Sequence, residues 1–477
     1  MAYRPSMSNV IPLFGLGINA TSPTVSAQRR LNCFYEFQPD GDKTRVAVYG
    51  TPGLTLFSSA LGETPIRGWI SIGDYIYLVH LGSLWKVDNG GTFTSLGTLN
   101  TTTGPVDMAY DGSLILIVDG TNGYTFTIGT ATFAQIGDAD FPNGAVTCGW
   151  LDGQFIVDDG IDSDQFFISA NGTAWDALDF ATAESQPDGI SRVFTDHGEL
   201  LLFGSRTIEP WGNIGASDFP FAPIKGSISE MGLAAPWSLC KFNDGVAFLG
   251  RNIQGQVQLY YLRGYTPVPI GSQQFYALIS GYAGIESATA FAFMDRGHPM
   301  YQINFPGEGK SWRYDASTND IFEVAYGMGE GRHRANLQTN FIGRTFVADY
   351  DDGNIYILDP DVYTDNSEYI ARELRSRHVF DRNEPLIVNE LYVDFETGVG
   401  LVDGQGEDPQ VMLQISKDNG HTWGNELWTD LGAMGNYLTR AHWRRLGVAY
   451  DWVFKVRVTD PVKFVVTFAA LRTRKAA

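Results

Sequence analysis

The sequence predicts an all-β protein: an irregular β-propeller of six or seven blades, followed by a smaller C-terminal β-sandwich-like domain and preceded by an extended N-terminal arm. Three observations predict it. Aromatic residues make up 13% of the 477 residues and glycine occurs 54 times, while charged residues are only 18%, a mixture that suits short strands and tight turns rather than long solvated helices. From about residue 68 one unit recurs: an apolar alternating strand, a turn carrying Gly usually next to Asp, and a second apolar strand. Beyond residue 365 the repeat gives way to strands of stronger alternation.

Residues 1–50 carry Pro12, Pro23 and Pro39 and no sustained periodicity, so they read as an extended docking arm. Residues 51–364 hold the repeat, in GWISIGDYIYLV, MAYDGSLILIVD, CGWLDGQFIVDD, VFTDHGELLLFG, CKFNDGVAFLG, AFMDRGHPMYQI and NFIGRTFVADY. The turn glycines are Gly73, Gly112, Gly153, Gly198, Gly245, Gly297 and Gly343, at steps of 39, 41, 45, 47, 52 and 46. That period fits one four-stranded blade per hairpin. A single blade cannot bury both its faces, so blades pack around an axis and cover one another. Asp-Gly or Asn-Gly supplies the positive φ that a two-residue hairpin needs. Irregular steps and the lack of a closing WD dipeptide exclude a WD40 array; two packed β-domains with similar hairpins are the alternative.

The polar stretch DPDVYTDN, 359–366, reads as a linker, and 365–477 as the sandwich-like domain, with strands in LIVNELYVDFETG, VMLQIS, WVFKVRVTD and KFVVTFAALR. SEYIARELRSRHVF fits a helix or a strand equally. Pro12 breaks the apolar N-terminal stretch and no run approaches about 18 apolar residues, so neither a signal peptide nor a membrane anchor is expected.

The net charge of −21 is uneven: from Asp365 onward 14 Lys or Arg face 16 acidic residues, leaving 19 against 38 before it. Such a body repels phosphate, which argues against nucleic-acid binding through counterion release and against an anionic membrane. Cys33, Cys148 and Cys240 are odd in number and widely spaced, the pattern of free thiols rather than a disulfide framework or zinc site.

No motif carries catalysis. SKDNGHTW, with Ser416, Asp418, Gly420, Thr422 and Trp423, is an Asp-box hairpin turn. Asp418 can accept turn N–H groups, Gly420 can take the left-handed conformation, and the Ser416 and Thr422 hydroxyls can tie the strands. Trp423 is expected beneath the turn, where truncation to Ala would cost about 3 kcal/mol. Sialidases repeat such boxes once per blade and add an arginine clamp, a Tyr nucleophile with a Glu partner and an Asp acid/base. Here one box lies outside the repeats, and Arg440, Arg444 and Arg445 lie in the C-terminal domain. A sialidase-like glycan-binding protein or glycoside hydrolase is the alternative reading. NFPGEGKS has Asn304 where a phosphate loop has its first Gly and runs on into a strand. VDDGIDSD offers Asp158, Asp159, Asp162 and Asp164 as oxygen ligands but lacks the EF-hand Gly and terminal Glu. No H-E-x-x-H or G-x-S-x-G occurs. No catalytic, cofactor-binding or metal residue is assigned.

AESQPDGI at 183–190 and LLFGSRTIEPW at 201–211 resemble the tail hub of short-tailed bacteriophages, the family called packaged DNA stabilisation protein or tail accessory factor. The resemblance continues in LYVDFETGVG, WRRLG and FKVRVTDPV and, more weakly, in LNCFYEFQPDG and YGTPGLTLF near the start. It implies a propeller-bearing virion subunit, made in the host cytoplasm, that forms a homohexameric ring below the portal and its adaptor. It also implies that such a ring extends and closes the DNA channel, attaches the tail needle or tailspikes, and lets phage DNA pass without sequence-specific binding.

Overall fold

The computed structural model describes residues 13–475 apart from 16, 19–21, 40–43, 161–162, 170–173, 184–185, 187, 218 and 382–383. Each of the seven turn glycines joins two consecutive strands of one antiparallel blade. Four of the turns place both central residues at positive φ: Asp152 and Gly153 at 50° and 87°, His197 and Gly198 at 49° and 79°, Arg296 and Gly297 at 47° and 88°, Ile342 and Gly343 at 46° and 74°. This is the twist-matching hairpin turn. Its first position tolerates a side chain at some conformational cost, which Ile342 bears as a β-branched residue.

Blades one to four run from Ile66–Ile72 to Phe93–Thr98, from Asp107–Tyr110 to Thr132–Gln135, from Cys148–Leu151 to Phe180–Thr182 and from Ile190–Asp196 to Phe221–Pro223. Blade five has a fifth strand, because Met231–Leu233 and Cys240–Phe242 both pair with Gly245–Asn252. Blade six spans Thr289–Asp295 to Asp320–Val324. The one α-helix among the described residues, Gln273–Ile279, sits between blades five and six; Ser272 caps it by accepting the Phe275 N–H, and it buries Phe275, Tyr276 and Ile279.

The ring closes on a strand from the other end of the chain. Blade seven takes three strands in sequence, Ala335–Phe341, Arg344–Asp349 and Ile355–Asp359, and its fourth is Gly53–Ser58. Apolar clusters then fill every inter-blade space. Tyr77, Val79 and Leu84 of blade one meet Ile115, Ile117 and Phe126 of blade two. The last space is filled by Phe341, Phe346 and Ala348 of blade seven against Ile66, Ile76 and Leu78 of blade one. At the inner rim the strands nearly touch: Val106 N donates to Arg67 O, and a Cβ on Gly68 would lie 2.1 Å from Val106 O. Only glycine allows that approach.

Of the first 50 residues, expected as an extended docking arm, the described part docks within its own chain, and residues 1–12 lie outside the described residues. Cys33–Phe37 and Val46–Gly50 form a hairpin that joins Val465–Lys475, Leu386–Phe395 and Ala441–Ala449 in one sheet of the sandwich. The other sheet contains Arg372–Arg375, Asp451–Val458, Gln410–Ser416 and Leu427–Asp430. Between them lie Leu391, Val411, Leu413, Trp443, Trp452 and Phe454. The stretch compatible with helix or strand is strand, in Glu368–Tyr369, Arg372–Arg375 and Val379–Phe380.

Leu54 on the closing strand is 1% exposed, pairs with Leu358 and packs with Phe322, Val347 and Tyr356. Leu54→Ala is expected to destabilise the protein by about 2–5 kcal/mol in urea unfolding. An unchanged midpoint would show that the strand does not close the ring.

Candidate functional site

Two places bring together polar groups from distant parts of the chain: the propeller axis and the junction with the sandwich. At the axis a cavity of about 760 Å³ is lined by Arg67, Trp69, Asp107, Arg192, Trp237 and Phe291, among others. A second, of about 410 Å³, shares Pro105 and Trp237 with it and adds Asp119, Asp158 and Asp188. The ionisable groups here are tied into the scaffold. Arg67 donates to the carbonyls of Leu81, Thr101, Thr103 and Gly104 at 2.6–2.8 Å, binding blade one to the loop before blade two. Arg192 of blade four donates to Pro236 O and Leu239 O at 3.0 and 3.3 Å and stacks on Trp237, 4.7 Å from the ring centre.

The carboxylates close turns. Asp119 accepts N–H bonds from Thr121 and Asn122, Asp188 from Arg206 and Thr207, and Asp158 from Val146 and Thr147 at 2.7 and 3.0 Å. Burial pushes the Asp158 carboxyl up to about 6 despite those two donors, and burial raises Asp107 as well. The arrangement is a set of staples between neighbouring blades, each acid already engaged by backbone N–H groups.

At the junction, Arg29–Leu31 pairs in parallel with the last strand of blade six and antiparallel with Arg372–Arg375 of the sandwich, fusing both into one ten-stranded sheet. Its two arginines point to opposite faces. Arg29 pairs with Glu323 at 2.6 Å, Glu330 at 3.0 Å and Glu373 at 3.6 Å, so it bridges propeller and sandwich carboxylates. Those contacts hold the Glu323 and Glu330 carboxyls below their usual range. Arg30 makes a fork to both oxygens of Asp320 and lies 4.7 Å from the Tyr35 ring centre. Asn32, at φ 54°, accepts from Ala325 N and donates to Ala371 O. Breaking a buried pair of this kind strands a charge, so these residues fix the two bodies relative to one another. The RRLN run was not singled out in the sequence; its acidic partners lie about 290 to 340 residues away.

The Asp-box residues meet in one turn. Ser416 Oγ donates to Asp418 Oδ1 at 2.7 Å and accepts from Gly420 N at 2.9 Å; Thr422 gives its N–H to Asp418 Oδ1 and its hydroxyl to Oδ2. These donors hold the Asp418 carboxyl well below the usual range. Gly420 stands at φ 86°, where a Cβ would lie 2.8 Å from Ala27 Cβ, so the turn seats the N-terminal segment. Trp423 differs from expectation. It is half-buried, with Lys455 and Arg375 at 4.4 and 5.4 Å from the ring centre. The two sandwich strands that would have covered it place cations there, so truncation forfeits cation–π contacts instead of opening a core cavity.

Arg440 pairs with Asp394, and Arg444 faces Glu390. In NFPGEGKS, Lys310 is held by Glu323 at 2.8 Å and by Glu330 O. In VDDGIDSD, Asp159 accepts from the Ser163 hydroxyl, and Asp162 lies outside the described residues. Among the described residues no three His, Cys, Asp or Glu side chains are grouped to hold a metal.

Fold and site together define a closed seven-bladed propeller that carries a β-sandwich on shared strands, with its ionisable residues spent on holding blades and domains in place. The chain belongs to the family of Gp10 of bacteriophage P22: the model of that family's β-propeller matches residues 32–363 and the model of its β-sandwich matches residues 371–474. It is 25% identical over 295 residues to the "Tail hub protein gp10" of Salmonella phage P22, a match covering 58% of this chain and 58% of that protein. The chain thus matches a little over half the length of that relative. Among solved structures, YCF48 from Cyanidioschyzon merolae superposes with a TM-score of 0.44 at 16% identity, covering 65% of this chain and 99% of that one. The WD40 propeller domain of Doa1 gives 0.40 at 13% identity, covering 64% and 96%.

The buried Asp158 gives a pH test. Its folded pKa, about 6, lies above the usual value of about 4, so the native state binds more protons than the unfolded chain between those limits. Its contribution to stability is therefore greatest below about pH 4 and falls as pH rises to about 6. Asp158→Asn keeps an oxygen for the two N–H donors and removes the ionisation. Relative to wild type the variant is expected to gain up to about 3 kcal/mol between pH 4 and 7 in urea unfolding. A difference that stays constant with pH would contradict the raised pKa.

Proposed function

We propose that the chain is a non-enzymatic structural subunit of a bacteriophage tail, made in the host cytoplasm and built into the virion as the hub below the portal and its adaptor. In this reading the hub forms a homohexameric ring that extends the DNA channel, helps to hold the packaged genome, releases it at ejection, and gives the tail needle or tailspikes a place to attach. The observation that carries it is the match to both Gp10 domains in order, with a relative titled as a tail hub protein.

Two physical features support the reading. A body of net charge −21, with 38 acidic residues against 19 basic ones before Asp365, repels phosphate. DNA can slide past such a wall without the cost of releasing many backbone contacts. A cavity of about 760 Å³ at the propeller axis is too small to pass a duplex, so in this reading DNA runs along a channel made by several copies. The junction strand also makes propeller and sandwich one sheet, which suits a part that transmits load between tail components.

Electron microscopy of the purified chain mixed with the cognate portal–adaptor assembly tests this directly. Added ring-shaped density at the adaptor's distal face is the expected result. Failure to join the assembly, together with a glycan-dependent rise in melting temperature, would replace the reading with that of a glycan-binding propeller.

A further inference from the structure

The sandwich ends in two loops that grip each other and project apolar side chains into solvent. Thr397 Oγ1 donates to Tyr437 O at 3.0 Å, Gly435 N to Gly398 O at 3.2 Å, and Leu401 N to Gly406 O at 2.7 Å. Gly398 lies so close under Tyr437 that a Cβ there would be 2.6 Å from the ring. On this frame Leu438 is 97% exposed, Val402 77%, Tyr437 73% and Met434 57%. Single exposed apolar residues are ordinary, but four on two interlocked loops form an apolar knob of the kind that marks a docking surface. Asp403, Glu407 and Asp408 stand exposed on the same loop as Val402, and none has an ion-pair partner among the described residues.

The propeller carries the opposite relief. Between blades four and five lies an open groove of about 620 Å³, lined by Ser205, Arg206, Thr207, Glu230, Arg251 and Ile253, among others. Ile253 is 70% exposed. Arg206 and Arg251 are exposed and have no ion-pair partner among the described residues, against the single acid Glu230. The knob is apolar with an acidic rim, and the groove is partly apolar with a basic rim. Both stand open in the chain itself, so the knob does not fill its own groove.

We propose that the knob at residues 398–408 and 433–438 docks into the groove between blades four and five of a second copy of this chain. The contact joins two different surfaces, so repeated head to tail it builds a ring when the rotation closes. It rests on the reading of the chain as a self-assembling hub and assigns that assembly its two faces. Leu438 and Tyr437 enter the groove against Ile253, while Asp403 and Glu407 meet Arg206 and Arg251, which sets the register of the contact.

Sedimentation velocity of the full chain across a concentration series tests it. Wild type is expected to assemble. Leu438→Asp and Arg251→Glu are each expected to weaken assembly by about 10- to 100-fold with unchanged circular dichroism melting, because both sites are exposed in the free chain. Asp403→Arg with Glu407→Arg, or Arg206→Glu with Arg251→Glu, should disrupt assembly alone and restore it when combined. A wild type that stays monomeric at all concentrations, variants that assemble as wild type does, or a combination that fails to restore assembly would each overturn the inference. Binding to the portal–adaptor assembly, measured on the same variants, separates the two readings. If Leu438→Asp loses only connector binding while self-assembly persists, the knob serves a different protein and the inference falls while the hub reading stands. Rings restored by the charge swap, from a chain that ignores the connector, would leave the contact standing and remove the hub.

Discussion

A propeller made from one chain has to close, and here closure depends on a strand that enters the ring more than 270 residues before the blade it completes. Without Gly53–Ser58 on its outer side, blade seven is three strands with one ladder unpaired, and residues of the closing strand, Leu54 among them, are missing from its apolar cluster. Blades six, seven and one share apolar clusters across their interfaces, so a defect at the closing strand reaches both neighbours. Pinning the N-terminal and C-terminal ends of the ring together turns a stack of sheets, each marginal alone, into a cooperative body.

The same N-terminal segment continues the work outside the ring. On its way to Gly53 the chain passes through Arg29–Leu31, which lies between blade six and the sandwich, and then through the hairpin Cys33–Phe37 and Val46–Gly50, which widens a sandwich sheet. One stretch of about 30 residues thus completes the propeller, extends the sandwich and fastens the two. Arg29 and Arg30 supply charge to this seam, and Glu323, Asp320 and Glu373 neutralise it from both sides. The desolvation of such pairs is costly, so their value lies in geometry: Arg29 meets Glu323 and Glu373 together only when propeller and sandwich sit in one arrangement.

The parts of this architecture that local chemistry dictates were legible in the sequence. A turn residue at positive φ is a local requirement of a tight hairpin, so Gly73, Gly112, Gly153, Gly198, Gly245, Gly297 and Gly343 each marked a blade, and irregular spacing came from extra elements such as the fifth strand of blade five and the helix after it. That helix had a signal, Ser272 ahead of apolar residues at 275, 276 and 279, too short to stand out. The pairing of Arg29–Leu31 with blade six and of Gly53–Ser58 with blade seven had no local signature, since those strand partners lie more than 270 residues away. The Asp box was readable down to its hydrogen bonds, because Asp418, Ser416 and Thr422 bond within one turn. The place of Trp423 was not, because Lys455 and Arg375 reach it from other strands.

The proposed hub role calls for mechanical unity, because a part that transmits load has to move as one piece. Hydrogen–deuterium exchange followed by mass spectrometry in rising urea measures that unity, by tracking peptides from blade two, residues 107–135, and from the sandwich, residues 441–475. If the N-terminal seam joins the domains as the sheet topology indicates, both sets lose protection in one transition with a common midpoint. Sandwich peptides that open at lower urea while blade two stays protected would contradict it.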